Sequence, residues 1–265
     1  MVPAAGTIYK HAMPHIATLP MYDWPERRQE TDARWAGLRD ALRAEGFDAP
    51  EELDRSGELA DRWLSPDLLI GETCSQPLAT FLAGRVRYVA TPVHDVPGCG
   101  RGTYRSAIVR RGPGEDMPVP ETGEAVIPPH ILSGRFAANE PSSMSGYVTL
   151  VGDCRALGLA MPAEEGILWT GAHRESVRAV ASGRADYTVI DCCSWQLARR
   201  FEPAAADVHV AGWASSRPGL PLVTSLSASD EDVERMRRAV MTAMDAVVLE
   251  RPFEIIPLPD RRPAA

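Results

Sequence analysis

Lysine is almost missing from this chain. Lys10 is the only one among 28 basic residues, and the rest are arginine. With the abundance of alanine, that bias reflects genome composition more than mechanism. An excess of positive charge is missing too. The formal net charge is −8, which argues against nucleic-acid partners and against anionic membrane surfaces. No run approaches the ~20 apolar residues that span a bilayer, so direct membrane insertion is not expected. The opening MVPAAGTIYKHAMPHIATLPMY lacks the charged start and continuous apolar core of a signal peptide. As it stands the sequence predicts a cytoplasmic protein, or a periplasmic one if a leader has been removed. Internal repeats and low-complexity tracts are absent.

Cysteine is sparse and oddly numbered: Cys74, Cys99, Cys154, Cys192 and Cys193. Five thiols without a small-domain framework argue against a disulfide scaffold. There is no CxxC or HxH spacing, so neither a metal nor a cofactor is expected. Adjacent Cys192 and Cys193 would be a poor chelate on a strand, where neighbouring side chains face opposite ways. Buried free thiols are the expectation.

What the chain does have is length and alternation. Its 265 residues suffice for one large domain or two lobes. A strand at His15–Met21 is followed by a helix at Glu30–Glu45, where Trp35, Leu38 and Leu42 share a face and Gly46 gives the stop. Asp67–Gly71 reads as a buried strand, Pro77–Ala83 as a short helix, and Val86–Pro92 and Arg105–Arg110 as strands. A Pro-, Gly- and acid-rich break, GPGEDMPVPETGEAVIPP, covers 112–129. Alternation then resumes. Strands are expected at Arg135–Ala138, Ile167–Trp169, Tyr187–Ile190 and Val208–Trp213. Helices are expected at Ser143–Leu157, His173–Ser182, Trp195–Arg200 and Glu231–Leu249, with an extended tail at Ile255–Pro259. The pattern predicts an α/β protein with mainly parallel sheets.

In open α/β sheets ligands bind beyond the carboxyl ends of the strands. Three strand-to-helix corners there look alike. The first is Gly71-Glu72-Thr73-Cys74-Ser75-Gln76-Pro77, with Thr73 as its candidate. The second is NEPSSMSGY, residues 139–147, and the third is Thr170-Gly171-Ala172-His173. A helix start leaves N–H groups unpaired and carries partial positive charge. Serine hydroxyls add donors, so such a corner suits phosphate, phosphonate, sulfate or carboxylate. Plain N-capping is the competing reading. A cap uses one hydroxyl, however, and the second corner offers three.

The segments LPMYDWPE, DLLIGETCSQPL, GTYRSAIVRR, NEPSSMSGY, TGAHRESVRAVASGRADYTVIDCCSW and PGLPLVTS, from about Ala17 to about Leu226, carry a family likeness. The chain resembles the substrate-binding proteins of phosphate, phosphite and phosphonate ABC transporters, the PhnD-like group. The resemblance implies a two-lobed type II periplasmic-binding-protein fold, with a hinge and a ligand cleft between the lobes. Residues 1–110 with 209–265 would form lobe 1, and 111–208 lobe 2. The family's oxyanion corner matches Ser142, Ser143 and Ser145. Its cleft histidine matches His173 and its cleft tyrosines Tyr22 and Tyr104. Asp191 falls where the family can hold a ligand's amine.

The implied function is capture of a small oxyanion, phosphonate or phosphate-like, with transporter membrane subunits as partners and no catalytic residue. Two alternatives stay open. One is a cytoplasmic enzyme on the same fold, with His173 and Asp191, or a thiolate of Cys74 or Cys192, as base or nucleophile. The other is a sensor that passes lobe closure to a partner protein.

Overall fold

The computed structural model describes residues 15–161, 164–253 and 255–258. The opening stretch read for a leader, apart from its last eight residues, and Pro259 of the predicted tail lie outside them.

The chain enters on β1 (Ile16–Thr18) and runs into α1 (Arg28–Ala44). Trp35, Leu38 and Leu42 bury one face of α1, as their spacing requires. Gly46, at φ +85°, turns the chain away, as the sequence predicts. After α2 (Leu59–Leu64) comes β2 (Leu68–Glu72), buried along its whole length. Then follow α3 (Ser75–Ala79), β3 (Val86–Pro92), two short strands, β4 (Cys99–Gly100) and β5 (Thr103–Tyr104), and β6 (Ser106–Arg111). Beyond the Pro-rich loop lie β7 (Phe136–Ala138), a π-helical turn (Met144–Val148) and α4 (Thr149–Leu157). Next come β8 (Leu168–Trp169), α5 (His173–Ala181), β9 (Tyr187–Asp191), α6 (Cys192–Phe201) and β10 (Val208–Trp213). The chain returns through β11 (Arg217–Pro218), β12 (Leu222–Ser225), α7 (Asp230–Ala243) and β13 (Ala246–Val247).

These strands make two five-stranded sheets, ordered β1-β2-β12-β3-β13 and β10-β6-β9-β7-β8, and a three-stranded ribbon, β11-β5-β4. The expectation of mainly parallel sheets is corrected. β1 with β2, and β7 with β8 and β9, are parallel. The strands that carry the chain between lobes, β6, β10 and β12, pair antiparallel. A crossing strand arrives from the other lobe and not through a local βαβ turn, so nothing forces it parallel.

Three helices also differ from expectation. α3 covers Ser75–Ala79, not Pro77–Ala83, because Thr80 leaves helical geometry (φ −112°, ψ −100°). α7 ends at Ala243 because Met244 is extended (φ −157°, ψ 161°), and Ala246 and Val247 pair with Pro92 and Thr91 on the open edge of β3. α6 begins at Cys192, before Trp195, because Asp191 caps it: its carboxylate accepts the Ser194 N–H at 2.8 Å.

Each sheet has its own core. Trp35, Leu38 and Leu42 of α1 pack with Met236, Ala239 and Val240 of α7 and with Ile70 and Val89 of the first sheet. In the second lobe Phe136 stacks on Tyr187, ring centroids 5.0 Å apart, within a cluster holding Ile108, Leu150 and Val189. Each such side chain contributes roughly 1.5–3 kcal/mol by leaving water.

Strands 106–111 and 208–213 hydrogen-bond into the second sheet, whereas the sequence division gives 106–110 and 209–213 to lobe 1. We propose that the lobes divide at the crossings, just before Ser106 and just after Trp213. The final described residues also lie on the second lobe: Arg155 Nη1 donates to the Pro257 carbonyl at 2.9 Å, and Ile256 is buried.

Buried Arg105 pins the first crossing. Its guanidinium donates to the carbonyls of Ala214 (2.9 Å), Pro120 (3.2 Å), Thr122 and Glu124. It thus ties both crossings to the 112–129 loop. Hydrogen bonds from a charged donor are worth about 1.5–3 kcal/mol each and do not simply add. Arg105→Met is expected to cost about 3 kcal/mol, a melting-temperature drop of roughly 6–12 °C, and to open the loop to limited proteolysis. An unchanged melting temperature would remove this anchoring role. No helix among the described residues is long and apolar enough to cross a membrane.

Candidate functional site

The corner after β7 is built by its serines and one glycine. Ser143 caps the π-helical turn, its Oγ accepting the Gly146 N–H at 3.2 Å. Ser145 Oγ lies 3.5 Å from Ser143 Oγ and 2.9 Å from His173 Nε2. A Cβ on Gly146 would stand 2.1 Å from Asn139 Oδ1, so a larger residue there would displace the Asn139 side chain. One serine is therefore the cap, and Ser145 is the hydroxyl to spare.

A cavity of roughly 240 Å³ opens at this corner. From the first lobe Tyr22, Trp24 and Cys74 line it, and Tyr104 and Leu220 come from the crossings. From the second lobe come Asn139, Glu140, Ser143, Ser145, His173, Asp191 and Ser194. The candidates Tyr22, Tyr104, Ser143, Ser145, His173 and Asp191 are thus brought together. Ser142 and Thr73 are not. Ser142 is exposed in the turn before the cap. Thr73 is buried behind the first corner, its hydroxyl without a partner. Cys74, named in the sequence as a corner residue and as a possible nucleophile, lines the cavity, whereas Trp24 and Ser194 were missed. Asn139 and Glu140 stand inside the quoted NEPSSMSGY string, and Ser194 follows Asp191 at capping spacing, so some signal was available.

Burial sets the protonation states. Tyr22 and Tyr104 are held well above the usual tyrosine range, first by burial and then by negative neighbours, Asp191 among them. Both therefore present O–H donors at neutral pH. Burial lowers the His173 pKa against the opposing pull of Asp191, so the imidazole is neutral. Its Nε2 lies 2.9 Å from Ser145 Oγ and 3.5 Å from Asp191 Oδ2. Its Nδ1 is buried and has no partner. Tyr22 Oη, Tyr104 Oη and Asn139 Oδ1 are likewise buried and unpartnered. Buried polar groups are normally paired, so four such atoms on residues around one cavity are unusual.

Ser145, His173 and Asp191 invite comparison with a hydrolytic triad, but the geometry differs. A triad needs serine on one imidazole nitrogen and the carboxylate on the other. Here both face Nε2. The arrangement can present donors and one carboxylate to a small ligand; it does not relay a proton from Ser145 to Asp191.

The lobes meet around this cavity. α3 of the first lobe packs against the π-helical turn of the second. At the rim Arg174 pairs with Glu26 at 2.9 Å and covers the Trp24 ring at 4.9 Å, and Arg200 pairs with Glu30 at 3.2 Å. Exposed ion pairs of this kind are worth little, so they leave the lobes free to part.

No protein-family model and no curated protein matches this sequence. Solved structures do. PhnD1 from Prochlorococcus marinus, in complex with methylphosphonate, aligns with a TM-score of 0.60 at 11% identity, over 85% of this chain and 83% of its own. A binding-protein component of an ABC phosphonate transporter from Pseudomonas aeruginosa aligns at 0.58 and 17%, over 85% and 73%. A Xanthomonas citri protein bound to chloride aligns at 0.61 and 13%, over 89% and 91%. At these identities the likeness is one of fold. The chain has the two-lobed type II periplasmic-binding-protein fold, with the cavity between its lobes.

Proposed function

We propose that this chain is a solute-binding protein that closes its two lobes on a small oxyanion, phosphonate or phosphate-like. The observation that carries the reading is the set of unpartnered buried atoms: Tyr22 Oη, Tyr104 Oη, Asn139 Oδ1 and His173 Nδ1, on residues lining one 240 Å³ cavity. They gather at a serine-capped helix start, where backbone dipoles favour negative charge. The oxyanion sits on Ser143 and Ser145 and takes hydrogen bonds from the tyrosine hydroxyls.

No lysine lines the cavity, and Arg174 at its edge is committed to Glu202 and Glu26. Asp191 keeps a carboxylate beside the anion position and would repel it. A ligand with a cationic group facing Asp191 turns that repulsion into attraction. An aminoalkyl phosphonate therefore fits better than phosphate alone. The fold's hinge motion shields the ligand from water. Delivery to the membrane subunits of an ABC transporter, in the periplasm, is the role that likeness to phosphonate-binding proteins supports best.

The experiment is a ligand series of methylphosphonate, aminoethylphosphonate, phosphate, sulfate and acetate, read by thermal shift and calorimetry. Ligand at 100 times its Kd adds about 2.7 kcal/mol, or roughly 5–10 °C in melting temperature. We expect the largest shift from aminoethylphosphonate and the smallest from acetate. If every anion leaves the melting temperature unchanged, the reading fails. Phosphate released from the phosphonates on long incubation would instead favour an enzyme.

A further inference from the structure

Cys192 and Cys193 open α6, and Cys99 reaches them from β4 on the three-stranded ribbon. Cys99 Sγ lies 3.3 Å from Cys192 Sγ and 3.6 Å from Cys193 Sγ, and all three sulfurs fall within 4.8 Å of one another. The expectation that Cys192 and Cys193 face opposite ways is corrected. They begin a helix, where neighbouring side chains diverge by only ~100°, so both thiols can face Cys99. Gly98 makes room for the cluster. Its φ is +99°, and a Cβ there would come within 2.8 Å of Cys192 Cβ.

The three sulfurs gather at the start of α6, where the helix dipole favours negative charge on sulfur.

We propose that Cys99, Cys192 and Cys193 form a three-sulfur site for a soft monovalent cation of the Cu(I) type. Thiolates select soft ions, Cu(I) and Zn(II) foremost. Structural zinc takes four ligands, and among the described residues no fourth histidine, cysteine or carboxylate joins the group. Three sulfurs about 2.3 Å from one ion stand about 3.8–4.0 Å apart. The two separations given above need to widen by roughly half an ångström, a small side-chain rotation. Binding releases thiol protons as the ion takes their place. Access is through an open pocket of roughly 620 Å³, lined by Cys193, His94 and Gln196.

The test uses the full chain, reduced and oxygen-free, titrated with Cu(I) against the chromophoric chelator bicinchoninate. We expect one Cu(I) taken per chain, a near-ultraviolet thiolate-to-copper absorption, and slower alkylation of Cys99 and Cys193 while Cys74 is unaffected. Cys99→Ser, the least buried position, should weaken uptake at least tenfold, and Cys193→Ser likewise. Cys154→Ser should leave uptake unchanged. The alkylation pattern needs no variant, so a folding defect in one of them does not spoil the test. Failure of the reduced protein to take Cu(I) from the chelator overturns the proposal, and so does uptake that survives in the Cys99→Ser, Cys193→Ser double variant. Tighter Zn(II) binding that His94→Ala abolishes would show a four-ligand zinc site and overturn it too.

Discussion

His173→Gln is expected to weaken binding of methylphosphonate at least 30-fold at pH 6 while leaving the ligand-free protein as stable as before. His173 is half-buried, desolvation lowers its pKa in the ligand-free state, and its buried Nδ1 has no partner. An anion in the cavity adds the negative charge that reverses the effect of burial. The imidazole then takes up a proton and becomes a charged donor. Losing one partner of a buried, charged hydrogen bond costs about 2–5 kcal/mol, which is at least 30-fold in Kd.

The pH dependence follows with a definite sign. The ligand-free pKa lies below the ordinary histidine value, and the bound pKa is raised. The His173 contribution to affinity is therefore fully present below the ligand-free pKa and is lost as pH rises through the bound pKa. Methylphosphonate itself titrates near neutrality, so the quantity to measure is the ratio of wild-type to His173→Gln affinity across pH. Calorimetry in two buffers of different ionisation enthalpy should also show more proton uptake by the wild type than by His173→Gln. A pH-independent ratio, or equal affinities, would remove His173 from the site.

The second large effect has opposite signs in the free and bound states. The hydroxyls of Tyr22 and Tyr104 are buried without a partner. An unsatisfied buried polar group costs about 1–3 kcal/mol. Tyr22→Phe and Tyr104→Phe should each stabilise the ligand-free protein by up to that amount, a rise of roughly 2–12 °C in melting temperature. Each should also weaken oxyanion binding about tenfold, the worth of one hydrogen bond to a charged acceptor. A structural hydroxyl behaves the other way: its loss lowers stability and spares binding. Lower melting temperature in both variants would therefore return these tyrosines to the core. The Tyr22 ring also packs edge-on against His94, centroids 5.4 Å apart, and phenylalanine keeps that contact.

The sequence made one part of the site legible by local chemistry. Ser143 and Ser145 belong to a string with more hydroxyls than one cap needs. His173 begins a helix, where a charged imidazole gains nothing from the dipole. Both signals are local. Ser142 belonged to the same string, yet it is exposed, because the turn faces it to solvent between Glu140 and Ser143, which line the cavity. No sequence rule distinguishes adjacent serines on opposite sides of a turn.

Strands were legible where an apolar run is bounded by breakers. Val86–Pro92 and Val208–Trp213 lie where the sequence puts them. The end of α7 was not legible, because its helical pattern continues past Ala243. The chain leaves that pattern for the edge of β3, a partner about 150 residues earlier in sequence.

By itself, then, the sequence determined the elements, the capped corners and the overall two-lobed plan, since these follow from periodicity, cap chemistry and a recognisable succession of segments. Tertiary structure alone decided which strands run antiparallel and which hydroxyls lose their partners. It also decided that Cys99 meets Cys192 and Cys193 across 93 and 94 residues. The physical reason is the same in each case. Hydrogen-bond satisfaction and side-chain proximity between distant segments depend on how the lobes and crossings pack, and local spacing carries no record of that packing.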